Sequence, residues 1–352
     1  MSIKKCIPGA LLVTMDVSSL YTNIPHDEGN EWVCDYYEET LDRWGTYAEV
    51  IQPVDRDSLS MLTKFILDNC TFEFDGTFYR QNYGTTMGAK FSVKFANIYM
   101  YMWFRKFNAK FNGPKPDFIA RLIDDCFFIW NESKTALNQY VQYINNCHVS
   151  IKFECISSAD RVTFLDTITY VENNEIRTTI YTKPTDKKQY LYYTSNHPRH
   201  IFRSVPYSQC IRYRRIIEDD GLLATELSIL KSKFMNRCYP ADLIDGQFSR
   251  AINLKRMSLL KYKTVEEKRA NFDKFLRGKT FLPLIVAYHQ SLSTSTFKTN
   301  FIRLWNDFIH CKPDITAVFN AECPQIVFKR GRTIANVLVR TKISTVLCDL
   351  DR

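Results

Sequence analysis

Three acidic residues have the surroundings expected of a divalent-metal site. Asp16 lies near the end of the apolar run Ala10 to Val17, which is typical of a buried strand. Asp124 and Asp125 separate two apolar segments, which places the acid pair at the tip of a hairpin. Two like charges among apolar residues are costly unless a cation binds them. The alternative for the pair is an ordinary Asp-rich turn without a ligand.

Phosphoryl transfer is the chemistry that such a set would serve. One divalent ion acts on the attacking oxygen and a second on the leaving group, and hard cations of this kind prefer carboxylate oxygens. An Asp at a strand end beside an Asp pair at a hairpin tip could hold both ions. Tyr21, five residues after Asp16, could hold its ring beside them and contact the 2′ position of a sugar. Simple core packing is the alternative for Tyr21.

The segments around these residues predict an α+β fold with an antiparallel sheet up to about residue 185. The predicted helices cover about 25–44, 57–69, 91–110 and 133–147, and the predicted strands cover 10–17, 71–80, 118–122, 126–130, 149–155, 162–171 and 175–182. Asp75-Gly76 and Asn173-Asn174 are hairpin-turn signals. Beyond residue 185, the stretches 206–230 and 240–277 are predicted to be mainly helical and basic, and the tail mixes short apolar runs with loops.

The two parts of the chain differ in charge. Residues 1–185 hold 18 Lys and Arg against 23 Asp and Glu, whereas residues 186–352 hold 29 against 15. An acidic half that could hold metal ions therefore precedes a basic half that could bind a polyanion. In the basic half, arginines interleave with aromatic residues, namely Arg199, Arg203, Arg212, Arg214 and Arg215 with Tyr190, Tyr192, Tyr193, Phe202, Tyr207 and Tyr213.

This pattern predicts nucleic-acid binding, because Arg neutralises phosphates and aromatic rings stack on bases or sugars. A solvated helix face over an aromatic core is the alternative. The eleven Cys are scattered without a C-x-x-C pair, which argues against a disulfide framework or a zinc knuckle and favours a reducing, intracellular compartment. No apolar run approaches membrane-spanning length, so the sequence predicts no membrane partner.

Several motifs resemble, in the same order, those of Penelope-like retroelement reverse transcriptases. They are residues 13–25 (VTMDVSSLYTNIP), 84–91 (GTTMGAKF), 121–130 (RLIDDCFFIW), 163–166 (TFLD), 181–186 (YTKPTD) and 203–209 (RSVPYSQ). The resemblance runs over nearly the whole chain. It implies a polymerase palm over 8–185 with a ferredoxin-like antiparallel sheet backed by helices, a helical basic thumb over 186–280, and a C-terminal extension over 281–352.

The resemblance also implies a role for each matched residue. Asp16 and Asp124 would hold two Mg²⁺ or Mn²⁺ ions, with Asp125 in support and the Val17 carbonyl as a further ligand. Tyr21 would be a steric gate that prefers deoxynucleotides. The remaining matched positions are Met87 and Gly88 at the incoming nucleotide, and Phe164 and Leu165 at the primer end. From the residues alone, Phe164 and Leu165 would form an ordinary apolar hairpin face.

The implied activity is RNA-directed DNA polymerisation in a nucleus, with an RNA template, a DNA primer and deoxynucleoside triphosphates. The family's fingers and GIY-YIG endonuclease have no counterpart in these 352 residues, and Lys94 lies where the family packs closely. We therefore expect a palm-and-thumb piece with reduced or no activity. A non-catalytic nucleic-acid-binding remnant and a translated relic are the alternatives.

Overall fold

A four-stranded antiparallel sheet lies at the centre of the first of two structural units, which comprise residues 1–182 and 183–352. The computed structural model describes residues 7–41, 53–261, 264, 267, 283–288, 294–311 and 325–330. In chain order the first unit contains β1 (Leu11–Val17), α1 (Leu20–Asn23), α2 (His26–Leu41), α3 (Arg56–Asp68), β2 (Thr71–Phe74), β3 (Thr77–Arg80), α4 (Lys90–Phe107), a 3-10 turn (Asn108–Lys110), β4 (Ala120–Leu122), β5 (Asp125–Trp130), α5 (Lys134–Asn146), β6 (Phe153–Ser158), β7 (Arg161–Phe164), β8 (Thr167–Glu172) and β9 (Glu175–Ile180).

The central sheet has the strand order β4-β5-β1-β6, and every neighbouring pair is antiparallel. Helices α2, α3 and α4 connect β1 to β4, the β4–β5 pair is a hairpin, and α5 connects β5 to β6. This is the ferredoxin-like arrangement, in which each of two split β-α-β units leaves room for a strand of the other. The α+β class with a ferredoxin-like sheet backed by helices, expected from the sequence, is confirmed.

One face of the central sheet packs against helices. Along β5, Cys126, Phe128 and Trp130 are buried, whereas the residues between them are only partly covered. This alternation follows from the two-residue period of a strand. Trp103 of α4 and Tyr140 of α5 are fully buried in the same core. Aromatic side chains of this size dominate the free energy of core formation, so the helices hold the sheet in place.

A second, three-stranded sheet has the order β7-β8-β9, and β7 packs near both β1 and β5. The sequence predicted a single strand over 162–171, but the structure has two strands joined by a tight turn at Leu165 and Asp166. Leu165 has φ of 55° there. A left-handed Leu is uncommon, so no local signal predicted the turn. The turn at Asn173-Asn174 is confirmed, since both residues have positive φ of 52° and 60°.

The second unit is mainly helical. It contains α6 (Arg199–Ile216), α7 (Asp220–Met235), α8 (Ala241–Ile252), α9 (Arg256–Leu260), β10 (Pro283–Tyr288), α10 (Thr294–Cys311) and β11 (Gln325–Arg330). Helix α6 packs on α8 and α7, and Asp219 caps α7 by accepting a 2.6 Å hydrogen bond from the Leu222 amide. Strands β10 and β11 pair in parallel with α10 between them along the chain.

Two expectations for this unit differ from the structure. A helix was predicted to begin at Pro206, but α6 begins at Arg199 and contains Pro206 in its interior. Proline usually marks a helix start or break, which is why the sequence misplaced this boundary. The sequence also predicted no long helix in the tail, where α10 lies. Most of the predicted helical stretch 262–277 and most of the C-terminal extension lie outside the described residues.

Candidate active site

The strand register brings the three predicted carboxylates to one edge of the central sheet. Met15 of β1 lies opposite Cys126 of β5, and the two strands are antiparallel. The next residue of β1, Asp16, therefore lies beside Asp125, the residue before Cys126. Asp16 and Asp125 therefore share the face opposite the helices. Asp124 is the second of the two turn residues between β4 and β5, because Leu122 pairs with Asp125. The acid pair thus occupies a hairpin tip beside Asp16, as the sequence predicted.

The pKa of Asp16 responds to burial and to the neighbouring acids. Partial burial raises the pKa of Asp16, and the negative charges of Asp124, Asp125 and Glu154 raise this pKa further. A hydrogen bond from the backbone of Val17 opposes the rise only in part. Like charges held this close favour either a bound proton or a bound cation. The site is therefore built to attract positive charge.

Glu154 belongs to this acidic edge and was not predicted. It lies opposite Asp16 in the β1–β6 register, and its Oε1 accepts a 3.2 Å hydrogen bond from the Ser18 hydroxyl. The sequence predicted a strand over 149–155 but gave no reason to select one glutamate in it. Only the pairing of β6 with β1 places Glu154 beside Asp16.

The donor atoms at this edge fit magnesium in kind. Mg²⁺ in enzymes that act on nucleotides is commonly held by one or two carboxylates, with waters and substrate phosphates as the other ligands. Asp16 and Asp124 can supply two such carboxylates. Among the described residues, no group of three or more His, Cys, Asp or Glu side chains is arranged to hold a metal ion. A cation here would therefore need ligands from water or a bound phosphate.

Tyr21 lies on the short helix α1 directly after β1. Ser19 begins this helix with φ of 52°, which turns the chain sharply away from the sheet. Burial raises the pKa of Tyr21, and the negative charge of Asp124 raises it further. The phenol is thus a half-buried, neutral group near the acid pair. Tyr21 also packs against the hydrophobic core. It therefore contributes to core packing and lies near Asp124 at the same time.

A loop carrying Met87 and Gly88 is docked onto the Tyr21 turn. The Thr85 amide donates a 2.6 Å hydrogen bond to the Tyr21 carbonyl, and the Gly84 amide donates a 3.0 Å bond to the Ile24 carbonyl. His26 Nε2 lies 2.6 Å from the Gly84 carbonyl oxygen. Two sequence motifs that lie about sixty residues apart in the chain are therefore joined by backbone contacts.

The same loop is pinned to the start of α4 by buried hydroxyl groups. Thr85 Oγ1 lies 2.7 Å from Ser92 Oγ, and the Ser92 hydroxyl is 2.6 Å from the Thr86 carbonyl oxygen. Beyond these anchors Met87 is 72% exposed, and a Cβ added to Gly88 would meet no atom within 4 Å. The loop therefore offers an open surface two to three residues from its contact with Tyr21. Lys94 is exposed on α4.

Phe164 reaches the same face of the central sheet as the carboxylates. Its ring lies 5.6 Å from the ring of Phe127, which alternates on β5 with the buried Cys126 and shares the face of Asp125. Leu165 follows in the tight turn and is 38% exposed. The β7–β8 hairpin is thereby held next to β5, the strand that begins at Asp125. Phe164 therefore makes an apolar contact from the hairpin to β5, and it does so on the sheet face that carries the carboxylates.

The five predicted arginines lie on α6 in the second unit and differ in exposure. Arg199, Arg203 and Arg215 are exposed, whereas Arg212 and Arg214 are partly covered. Arg214 forms a 2.5 Å ion pair with Asp220, so its charge is partly neutralised within the unit. Arg199 and Arg203 are one helical turn apart, on one face, and in the described structure neither is paired with a carboxylate.

Most of the aromatic residues interleaved with these arginines form the core of the second unit. The rings of Tyr193 and Phe202 are 5.1 Å apart, and Tyr190 stacks on Phe234 at 4.5 Å. Tyr213 is fully buried. Tyr192 is 50% exposed, but Arg237 covers its ring at 4.5 Å. The aromatic core that the sequence left open as an alternative accounts for these residues, and the exposed arginines remain as candidate phosphate contacts.

Comparison with known proteins gives one family match and several weak structural matches. A family model described as an animal helix-turn-helix domain matches residues 189–249, which contain α6, α7 and most of α8. The sequence has no match among curated proteins. In the described part of the chain, no helix combines the length and apolar character needed to cross a membrane.

Solved polymerases resemble the chain at low similarity. A Candida albicans telomerase, solved with a fragment of telomeric RNA, has a TM-score of 0.46 at 9% identity, over 72% of this chain and 47% of that one. The RNA-dependent RNA polymerase of a human picobirnavirus gives 0.42 at 12% identity, over 70% and 47%. A truncated apo telomerase from Candida tropicalis gives 0.34 at 16% identity, over 49% and 36%. The chain spans less than half the length of each, and TM-scores below 0.5 assign neither an activity nor a partner.

Proposed function

We propose that the chain is the palm-and-thumb part of an RNA-directed DNA polymerase, of the kind encoded by Penelope-like retroelements. The observation that carries this proposal is the placement of Asp16, Asp124 and Asp125 at one sheet edge with Tyr21 beside them. The reaction is attack of a primer 3′-hydroxyl on the α-phosphate of a deoxynucleoside triphosphate, which forms a phosphodiester bond, breaks the bond between the α- and β-phosphates and releases pyrophosphate. An RNA strand serves as the template, and the expected setting is the nucleus.

Each part of the site has a task in this reaction. Asp16 and Asp124 would hold Mg²⁺ or Mn²⁺, with Asp125 in support and the Val17 carbonyl as a further ligand. Bound divalent ions stabilise the charge on the attacking and leaving oxygens. Tyr21 limits the space beside the sugar and so favours deoxynucleotides. The remaining contacts are Met87 and Gly88 with the nucleotide, and Phe164 and Leu165 with the primer end.

The second unit would bind a nucleic-acid duplex through the phosphates of the duplex. Arg199 and Arg203 are the exposed cations on one face of α6, and Arg215 is exposed at its other end. Lys and Arg contacts to phosphates supply affinity without reading sequence. Arg212 and Arg214, although partly covered, add positive charge to the same helix.

Primer extension on an RNA template tests the proposal. Extension with Mg²⁺ or Mn²⁺ should fall by roughly 100-fold or more in Asp124→Ala/Asp125→Ala, since metal-ion stabilisation is worth several kcal/mol. The matched control is Glu132→Ala/Asp160→Ala. It removes the same charge at the opposite end of the sheet, next to the Trp130 and Ser158 ends of β5 and β6. Extension that is equal in both double variants would contradict the proposed active site.

A non-catalytic nucleic-acid-binding protein is the second candidate. The helix-turn-helix match to residues 189–249 favours it, because helix-turn-helix units are widely used to bind duplexes. No extension by the unmodified chain, together with duplex binding that is independent of Mg²⁺ and weakens steeply with salt, would support this second candidate.

A further inference from the structure

Arg121 of strand β4 reaches across the turn that carries Asp124. Its Nη1 donates a 2.8 Å hydrogen bond to the Ile123 carbonyl and a 3.3 Å bond to Asn97 Oδ1. Its Nη2 donates a 3.2 Å bond to the Asn97 carbonyl on α4. The planar guanidinium therefore ties the turn between β4 and β5 to the middle of helix α4.

The turn needs such an anchor. Ile123 has φ of 58°, a left-handed conformation that β-branched residues rarely adopt. Strained backbone of this kind persists only where the surroundings fix it, and it is often found at functional sites. Arg121 binds the carbonyl of the strained residue itself. The next residue is Asp124, so any relaxation of Ile123 would move the Asp124 carboxylate relative to Asp16.

The hydrogen bonds of Arg121 are directed at the backbone and at Asn97. In the described structure its three hydrogen bonds all go to carbonyl oxygens, of Ile123 and Asn97. The carboxylates of Asp124 and Asp125 are not among these acceptors. The guanidinium thus shapes the turn through its hydrogen bonds to Ile123 and Asn97. A fork of fixed donors suits this task better than the single ammonium of lysine.

We propose that Arg121 is a positioning residue that fixes the Asp124 carboxylate relative to Asp16, through the strained Ile123 turn. The role in metal binding rests on the function proposed above. The role in holding the turn does not, because it follows from the hydrogen bonds alone. These two parts can be measured separately.

Hydrogen–deuterium exchange of the full chain tests the turn. Arg121→Met should speed exchange of the amides in 121–126 by more than tenfold, and Arg121→Lys should do so by less. The control is Arg105→Met, which removes an equal charge. Arg105 lies on the same helix as Asn97, and its exposed side chain is paired with Glu39. Thermal unfolding of each variant identifies any global loss of fold. If Arg121→Met does not fold, Arg121→Lys decides the outcome.

Binding of Mn²⁺, followed by electron paramagnetic resonance, tests the consequence for the site. Arg121→Met should weaken binding by roughly 10- to 100-fold, as residues that orient metal ligands commonly do. Arg121→Lys should recover part of the loss, and Arg105→Met should bind like the unmodified chain. An unmodified chain that binds no Mn²⁺ contradicts the proposed function. Arg121 variants that exchange and bind like the unmodified chain contradict the positioning role alone.

Discussion

Asp16 has a partly desolvated carboxyl group with other acids nearby, and it lies on a strand that pairs on both sides. It is the next-to-last residue of the inner strand β1, faces Glu154 on one neighbouring strand and lies beside Asp125 on the other. Partial burial of its carboxyl group, together with repulsion from these acids, raises the pKa of Asp16 and makes its ionised form less favourable than that of an ordinary Asp. Residues that serve a site commonly reduce the stability of the fold in this way.

Replacement of Asp16 should therefore stabilise the fold at neutral pH. Since the folded state raises the pKa of Asp16, the folded chain binds the proton more tightly than the unfolded chain. Stability then falls as pH rises from the ordinary value of 3.8 through the raised value, and the loss is complete above it. Asp16→Asn should gain a few tenths to about 1 kcal/mol at pH 7 without divalent ions, the scale of partly screened charge interactions.

Thermal unfolding at pH 7 and near pH 3 measures this effect. The gain should disappear at the lower pH, where Asp16 is protonated in both states, and Mg²⁺ should reduce it at pH 7 by stabilising the unmodified chain. Asp160→Asn is the control, because Asp160 is an exposed acid paired with Arg161. An Asp16→Asn chain that is less stable than the unmodified chain at pH 7 would refute the electrostatic account.

At the level of elements, the site depends on the docking of the 84–88 loop against helix α1. Gly84 has φ of 68°, and a Cβ there would lie 2.2 Å from the Tyr21 carbonyl oxygen and 2.6 Å from Thr22 backbone atoms. The close approach of two backbones, and not only the positive φ, therefore requires glycine. Any larger residue must displace the loop from Tyr21.

Gly84→Ala should destabilise the fold by about 2 kcal/mol or more, because it adds a backbone clash to the cost of a left-handed alanine. Gly76→Ala is the matched control. Gly76 has a similar φ of 74°, but a Cβ there would meet no atom within 4 Å. Denaturant unfolding of both variants separates the two costs. Equal losses of stability in the two variants would show that the Tyr21 contact is not tight.

The elements that the sequence predicted are those with strong local signals. Asp75-Gly76 and Asn173-Asn174 marked turns, and the apolar runs around Asp16 and the acid pair marked the central strands. What sequence could not provide were tertiary relations. Glu154 becomes part of the acidic edge only through the β1–β6 register, and Arg121 becomes an anchor only through Asn97 of another element. The Leu165 turn and the interior position of Pro206 break local rules, so local reasoning misplaced both.

Across the whole molecule, an acidic part precedes a basic part, with net charges of −5 for residues 1–185 and +14 for residues 186–352. The structure shows that cations in the basic part are not equivalent. Arg214 and Lys231 form ion pairs with Asp220 and Asp245, whereas Arg199 and Arg203 extend from one exposed face of α6. Net charge alone therefore overstates the surface available to a polyanion.

Arg199→Gln/Arg203→Gln should weaken duplex binding and make it less sensitive to salt. Each phosphate contact that is lost lowers the slope of log affinity against log salt by about 0.9, so the slope should fall by about 2. Fluorescence anisotropy over a salt series measures this. Arg80→Gln/Arg161→Gln removes the same charge from exposed positions of the first unit. A slope that is unchanged in the α6 variant would exclude this face from binding.

Cys126 lies directly behind the acid pair, on the buried face of β5. Burial raises the pKa of its thiol to about 12, and the side chain is inaccessible to solvent. Alkylating reagents react with thiolates, so this sulfur can be modified only when β5 separates from the helices beneath it. The rate of alkylation of Cys126 therefore reports how often the central sheet opens. If a ligand that bridges β1 and β5 slows the alkylation of Cys126, its binding can be detected without any assay of catalysis.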